Sequence, residues 1–184
     1  MTNSSTWVSV DLQLGYLPPG ITDAGVSING STVSRYAVGT IAQFRDVGTT
    51  QLGTGEFIWL PGVASTIYGS WVSYITSNGV SNAGSTTLWA GTAATPFPLA
   101  VATVANTSTT TWAWYQISGA AVCATSGTIS AGECAAWQAA GVVQGTAVST
   151  KNVIGAIAMS ANGTPATNQA IYLLQRPSAN PSTA

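Results

Sequence analysis

Few residues in this sequence could carry out acid–base or nucleophilic chemistry. The chain has 184 residues, with five acids, four bases and no histidine. Glycoside hydrolysis needs two carboxyl groups at a fixed separation, but each acid here stands alone in a turn-rich stretch. A serine nucleophile would lack a histidine base, and the single lysine lies in no Ser-x-x-Lys pattern. We therefore expect no enzymatic activity. The five acids are Asp11, Asp23, Asp46, Glu56 and Glu133.

The only two cysteines are Cys123 and Cys134. They flank a glycine-containing loop, so they could face each other across two paired strands and form a disulfide. The alternative is two buried, reduced thiols. Residues 1–7 lack the basic and apolar regions of a secretory signal. We therefore expect synthesis in a cytoplasm, where reduced thiols are favoured. Without histidine or a Cys-x-x-Cys spacing, we expect no metal and no other cofactor.

The aromatic residues allow two interpretations. Trp59, Trp71, Trp112 and Trp114 could pack in a core, or they could form a surface on which sugar rings stack. Core packing is the better interpretation for a small β-rich domain. Side chains alternate along a strand, so Trp112 and Trp114 should share one face while Tyr115 lies on the other. We expect one of these two faces to be less buried or to lie at a subunit contact.

The composition excludes several classes of protein. Only 5% of the residues are charged and the net charge is −1, whereas about a quarter are charged in a typical soluble domain. No apolar run reaches the roughly 18 residues of a membrane-spanning helix, so we expect no membrane insertion. Four basic residues are too few to neutralise phosphates, so we expect no nucleic-acid partner. Such a weakly charged surface favours association with other protein.

The pattern of apolar residues predicts an all-β protein. Short strands recur about every ten residues between glycine, asparagine and proline, which is typical of an antiparallel β-sandwich, jelly-roll-like or barrel-like. The aromatic segments 57–60 and 112–117 should pack together, and 135–143 is a short helix or a strand. Arg45 and Asp46 are interpreted as a surface pair or an intersubunit contact. The predicted parts are an extended N-terminal arm or edge hairpin (1–35), a β-sandwich domain (36–177) and a flexible tail (178–184).

Four segments carry a resemblance to a known family. Residues 36–44, 55–66, 113–122 and 171–177 resemble capsid decoration proteins, also called cement proteins, of tailed bacteriophages. The resemblance covers residues 36–177. It implies a β-sandwich, commonly a homotrimer, that binds the major capsid protein on the outer surface of the virion. Such trimers sit at local three-fold positions and stabilise the contacts between capsomers. It also implies synthesis in the cytoplasm of the bacterial host.

Two further expectations concern partners. If the resemblance holds, residues 1–35 and the loops 48–55 and 78–85 are expected to contact other subunits or the capsid. The alternative function is a glycan-binding module that attaches the virion to host surface glycans. That alternative predicts exposed tryptophans that cluster in a groove, because sugar rings stack on open aromatic faces.

Overall fold

The computed structural model describes residues 6–10, 17–24, 26–28, 31–76, 84–91, 97–145, 151–161 and 169–179, with the backbone alone for 26–28 and 31–33. These residues form fourteen strands, which confirms the predicted all-β class. The strands are β1 (Trp7–Ser9), β2 (Thr22–Asp23), β3 (Val26–Ile28), β4 (Ser31–Val33), β5 (Ile41–Asp46), β6 (Thr54–Pro61), β7 (Trp71–Ile75), β8 (Ser85–Leu88), β9 (Leu99–Ala102), β10 (Trp112–Ala124), β11 (Cys134–Ala139), β12 (Val142–Gln144), β13 (Asn152–Ala158) and β14 (Gln169–Ala179).

Strand β10 is the longest of these strands and joins the parts of a twelve-stranded sheet. Its first half pairs with β6 on one edge and with β2 and β9 on the other, and its second half pairs with β14. A register shift between Gln116 and Ser118, followed by a φ of 88° at Gly119, interrupts the regular ladder. The buried Gln116 amide donates to the carbonyls of Ser118 and Ala120, which satisfies backbone acceptors at this irregularity.

The sheet curls into a sandwich-like fold. Beyond β6 it continues through β5 to β1, and beyond β14 through β13 and β11 to β12. Strand β12 returns toward the end of β10, where Thr125 and Val143 form an isolated bridge. Strands β9, β7 and β8 make a third part, and β8 contacts β6. Apolar side chains fill the space between these parts, since a sheet must bury one face to be stable.

Trp114 on one face of the β6–β10 pair and Tyr115 on the other are both fully buried, so the expectation that one of these faces is less buried is wrong for these two residues. The alternative, that one face lies at a subunit contact, stays a prediction. On one face Trp114 packs in an aromatic cluster. On the other face Tyr115 packs in a second cluster with residues of β6, β7 and β9. Trp112 shares the face of Trp114, as the alternation predicts, but it is only half-buried. The aromatic cluster comprises Trp7, Ala42, Phe44, Phe57, Trp59 and Trp114.

The buried hydroxyl of Tyr115 is held by polar partners. It accepts a hydrogen bond from the Asn106 side-chain amide at 3.2 Å and donates to the Pro61 carbonyl at 3.4 Å. Burial raises the pKa of this hydroxyl well above its usual range, and the bond from Asn106 offsets part of the rise. Thr111 donates to the Asn106 side-chain oxygen. The connection between β9 and β10 is therefore tied to the core through one buried asparagine.

Two strands of the N-terminal region, β1 and β2, belong to the twelve-stranded sheet, whereas β3 and β4 form a separate two-stranded sheet. Strand β1 is an edge strand paired with β5, yet its Trp7 is only 5% exposed and packs edge-on against Phe57. Strand β2 pairs with the start of β10. Strands β3 and β4 pair with each other as a hairpin, and their two connecting residues lie outside the described ranges. Part of the predicted arm therefore helps to cover the aromatic cluster.

Two other local predictions can be compared with the structure. Residues 134–139 form strand β11, paired with both β12 and β13, which settles the helix-or-strand alternative in favour of a strand. Tertiary pairing outweighs the helix propensity of its alanines. Strand β14 runs two residues into the predicted tail, and residues 180–184 lie outside the described ranges.

Replacing Trp114 by alanine tests the importance of the aromatic cluster. The indole contacts the rings of Tyr36, Phe44 and Trp59 at centroid distances of 5.2–5.6 Å. We expect Trp114→Ala to lower the free energy of unfolding by about 3–5 kcal/mol, since the cavity cannot close. Trp112→Ala is the matched control on the same face, and its loss should be clearly smaller because Trp112 is half-buried. Urea unfolding followed by circular dichroism measures both, and equal losses would contradict the assignment.

Candidate interaction surface

The acids that the structure describes have structural partners. Asp23 lies 3.5 Å from the Arg35 guanidinium. Glu56 accepts two hydrogen bonds from Arg176, at 3.1 and 3.3 Å. Glu133 accepts the backbone N–H of Ser130 at 2.8 Å. Within the described ranges no group of three or more acids or cysteines could hold a metal ion. Asp11 lies outside those ranges.

Asp46 is buried, so its interpretation as a surface or intersubunit pair with Arg45 is wrong. Its carboxylate accepts the backbone N–H groups of Thr6, Gly48 and Leu52 at 3.0, 2.8 and 3.0 Å. These bonds hold the turn after β5 and the residue before β1 together. A short carboxylate side chain at a turn commonly accepts nearby backbone donors in this way. The loop 48–55, which is predicted to contact other subunits or the capsid, is therefore held in place by the Asp46 carboxylate.

The two cysteines are free thiols in different environments. Cys123 is a buried residue of β10, opposite Ala170 of β14, whereas Cys134 is exposed on β11. Burial raises the pKa of the Cys123 thiol well above its usual range, and a hydrogen bond from the backbone of Tyr172 opposes the rise. Both cysteines are thus free thiols, as in the alternative of two buried, reduced thiols. Only Cys123 is also buried, because Cys134 is exposed.

The candidate stacking tryptophans are mostly core residues. Trp59, Trp71 and Trp114 are fully buried, and Trp112 is half-buried. Of the other three tryptophans, two are buried and Trp137 is half-buried, with the Lys151 ammonium 4.1 Å from the centre of its ring. No tryptophan is among the exposed large hydrophobic residues. The groove of exposed tryptophans that the glycan-binding alternative predicts is not formed.

The most unusual surface is the outer side of strands β11, β13 and β14. Ile154, Ile157 and Met159 are 53–55% exposed, and Leu173 is 38% exposed. Cys134 of β11 is paired with Ile157 of β13, and Ile157 is paired with Leu173 of β14. The side chains of these three residues therefore form a row across three neighbouring strands. Large apolar side chains in a contiguous exposed patch mark interaction sites. We call this surface the apolar face: Cys134, Ile154, Ile157, Met159, Ile171 and Leu173.

A β-bulge in the β13–β14 ladder, with Gly155 of β13 opposite residues 175–177 of β14, enlarges the apolar face. Strict alternation would place Ile154 and Ile157 on opposite sides of β13. The register shifts between Ile154 and Ala156, and Gly155 adopts a φ of 78°. A side chain at this position would press against the Gln175 carbonyl, so glycine is required. The bulge thus places both isoleucines on the outside, which is a recognised use of bulges.

The apolar face has a shallow groove and no charge of its own. The groove has a volume of about 300 Å³ and is lined by residues 153–157 of β13, by Cys134 of β11, and by Leu173 and Gln175 of β14. The nearest basic residue along β14 is Arg176, whose guanidinium is bonded to Glu56 of β6. None of the six residues of the face is an acid, a lysine or an arginine.

Sequence reasoning missed the apolar face. It placed the expected contacts in residues 1–35 and in the loops 48–55 and 78–85, and most of the second loop lies outside the described ranges. The available signal was the stretch 153–159, which is apolar at nearly every position. Such a run indicates a strand whose two faces are both buried. In β13 only the inner face is buried, and no described residue covers the outer face. In the part of the chain that the structure describes, no helix is long and apolar enough to cross a membrane.

Replacing Asp46 tests its role as a backbone acceptor. Asp46→Ala leaves three N–H donors without their partner, so we expect a loss of at least about 2 kcal/mol in the free energy of unfolding. Glu133→Ala is the matched control, because that acid accepts one backbone N–H at an exposed position, and its loss should be below about 1 kcal/mol. Urea unfolding measures both variants. An Asp46→Ala protein as stable as the parent would contradict this role.

The thiols can be distinguished by their reaction rates. In a Cys134→Ser variant only Cys123 remains, and we expect it to react with a disulfide reagent at the rate of unfolding because it is buried and protonated. The reaction in native buffer and in denaturant is followed by absorbance. Rapid labelling of Cys123 in native buffer would show that the interior is open. The parent protein should titrate two thiols in denaturant without reductant.

Comparison with known proteins identifies no relative. The chain matches no protein-family model, and neither the curated proteins nor the solved structures contain a significant match. The resemblance of residues 36–177 to capsid decoration proteins gains no support from these comparisons and stays a prediction.

Proposed function

We propose that this protein is a structural protein of a tailed-phage virion, a capsid decoration protein. In this role it binds the major capsid protein on the outer surface of the head as an oligomer, most simply a homotrimer. The observation that carries assembly into an oligomer is the apolar face, which stands on a domain with only nine charged residues. The capsid as the partner of that oligomer follows from the resemblance of residues 36–177. Exposed apolar surface on a nearly uncharged domain favours protein–protein association.

The placement of the polar groups supports an assembly function over an enzymatic one. Asp46 and Glu133 accept backbone N–H groups, and Glu56 pairs with Arg176. Catalytic sites instead hold ionisable groups in a cleft with their reactive atoms accessible. The described carboxylates thus organise turns and strand neighbours, as they do in a scaffold.

The proposed mechanism is mechanical. Each oligomer would bridge neighbouring capsomers, and its binding to the assembled shell but not to separated subunits would stabilise the shell by linkage. A contact of standard size, about 800 Å² per partner, suffices for specific binding. Repetition over the capsid lattice multiplies the effect, because a capsomer can leave only when several contacts break.

Two measurements on the purified protein test this function. Light scattering should give a mass near three times 18.6 kDa. Added to phage heads that lack the protein, it should sediment with the heads in saturable amounts and raise the temperature at which they release DNA, since a ligand of the assembled state stabilises that state. Heads already carrying the protein are the control and should bind no more. Absence of saturable binding to the bare heads would refute the decoration function.

A further inference from the structure

We propose that the apolar face is the surface through which copies of this chain contact one another, so that its occupant is a second copy and not the capsid. This inference deepens the proposed function by assigning one surface to self-association. The capsid contact would then lie elsewhere on the oligomer. Three properties of the face support a second copy: its lack of charge, its area and its shape.

The lack of charge makes the face complementary to itself. In a homotrimer each pair of neighbours joins two different surfaces, except around the three-fold axis, where equivalent residues of the copies meet. We place the apolar face around this axis, where a charged residue would face like charges. The six residues of the apolar face include no acid, lysine or arginine, and Arg176 at its margin is engaged by Glu56. Interfaces between different proteins generally gain specificity from complementary charges. A face without charge offers no such means of selecting a different partner.

The area of the face suits the centre of an interface. Ile154, Ile157 and Met159 are about half exposed, and Leu173 somewhat less. Together they offer roughly 400 Å² of apolar surface, which lies in the range of functional patches. A standard interface buries about 800 Å² per partner, with an apolar centre and a polar rim. The face thus supplies about half of the area that a stable contact needs, and polar neighbours such as Gln175 can supply the rim.

The shape of the face permits close packing of two copies. The row formed by Cys134, Ile157 and Leu173 crosses three strands, and the groove beside it is opened by the bulge at Gly155. A row beside a groove allows the side chains of one copy to enter the groove of the other. A flat, featureless surface would lack this fit.

The first test introduces a charge at the centre of the face. Ile157→Lys should reduce the mass in light scattering to 18.6 kDa at concentrations where the parent is oligomeric, because equivalent lysines would meet. Ile41→Lys is the matched control, since Ile41 is a 44% exposed strand isoleucine of β5, away from the face, and it should keep the parent mass. Tryptophan fluorescence verifies folding, and Ile154→Lys is the second variant if Ile157→Lys fails to fold.

Opposite charges and thiol labelling provide the second test. Mixing Ile157→Lys with Ile157→Glu should restore an oligomer that neither variant forms alone, which happens only if position 157 meets its own equivalent. Cys134 belongs to the same face, so in the parent its alkylation should be at least about tenfold slower than in Ile157→Lys, because only the dissociated fraction exposes it.

The outcomes separate this inference from the proposed function. A parent that is monomeric at all concentrations, an Ile157→Lys protein with the parent mass, or an Ile41→Lys protein that also dissociates would overturn the inference. An Ile157→Lys protein that stays oligomeric but no longer binds heads would assign the face to the capsid instead. If the oligomer depends on the face but no variant, nor the parent, binds bare heads, the inference stands and the decoration function fails.

Discussion

The fold depends on one strand that is covered on both faces and paired on both edges. Strand β10 places Trp114 in the aromatic cluster and Tyr115 in the cluster opposite, so the segments that cover it must come from distant parts of the chain. Burial of aromatic side chains of this size is the main favourable term in a small β domain. The edge strand β1 contributes Trp7, and the β7–β9 region covers the other face.

Polar groups inside the domain are used to hold backbone in place. Asp46 satisfies three backbone donors, Asn106 holds the hydroxyl of Tyr115, and Gln116 satisfies two carbonyls where β10 is irregular. A buried polar group without a partner is costly, so each of these side chains restricts the chain to one local path. In the part of the chain that the structure describes, turns and bends are thereby held with two ion pairs, Asp23–Arg35 and Glu56–Arg176.

The hydrogen-bond register of the sheet shifts next to Gly119 and at Gly155, and the two shifts have different consequences. The shift next to Gly119 lies where β10 passes from its pairing with β6 to its pairing with β14. The bulge at Gly155 places Ile154 and Ile157 on the outside together and opens the groove beside them. Both positions need a positive φ, which glycine adopts without steric strain. A glycine with a positive φ therefore serves twice. At Gly119 it lets β10 pair with both β6 and β14, and at Gly155 it contributes to the proposed interaction surface.

Sequence alone was sufficient for the properties that depend on composition and local alternation. The all-β class follows from short apolar runs between turn residues, and the shared side of Trp112 and Trp114 follows from the two-residue period of a strand. The tertiary structure decided what lies opposite each strand, because pairing and covering join residues far apart in the chain. It therefore decided that Asp46 is buried, that Cys123 and Cys134 are in different environments, and that Ile154 and Ile157 of β13 are about half exposed.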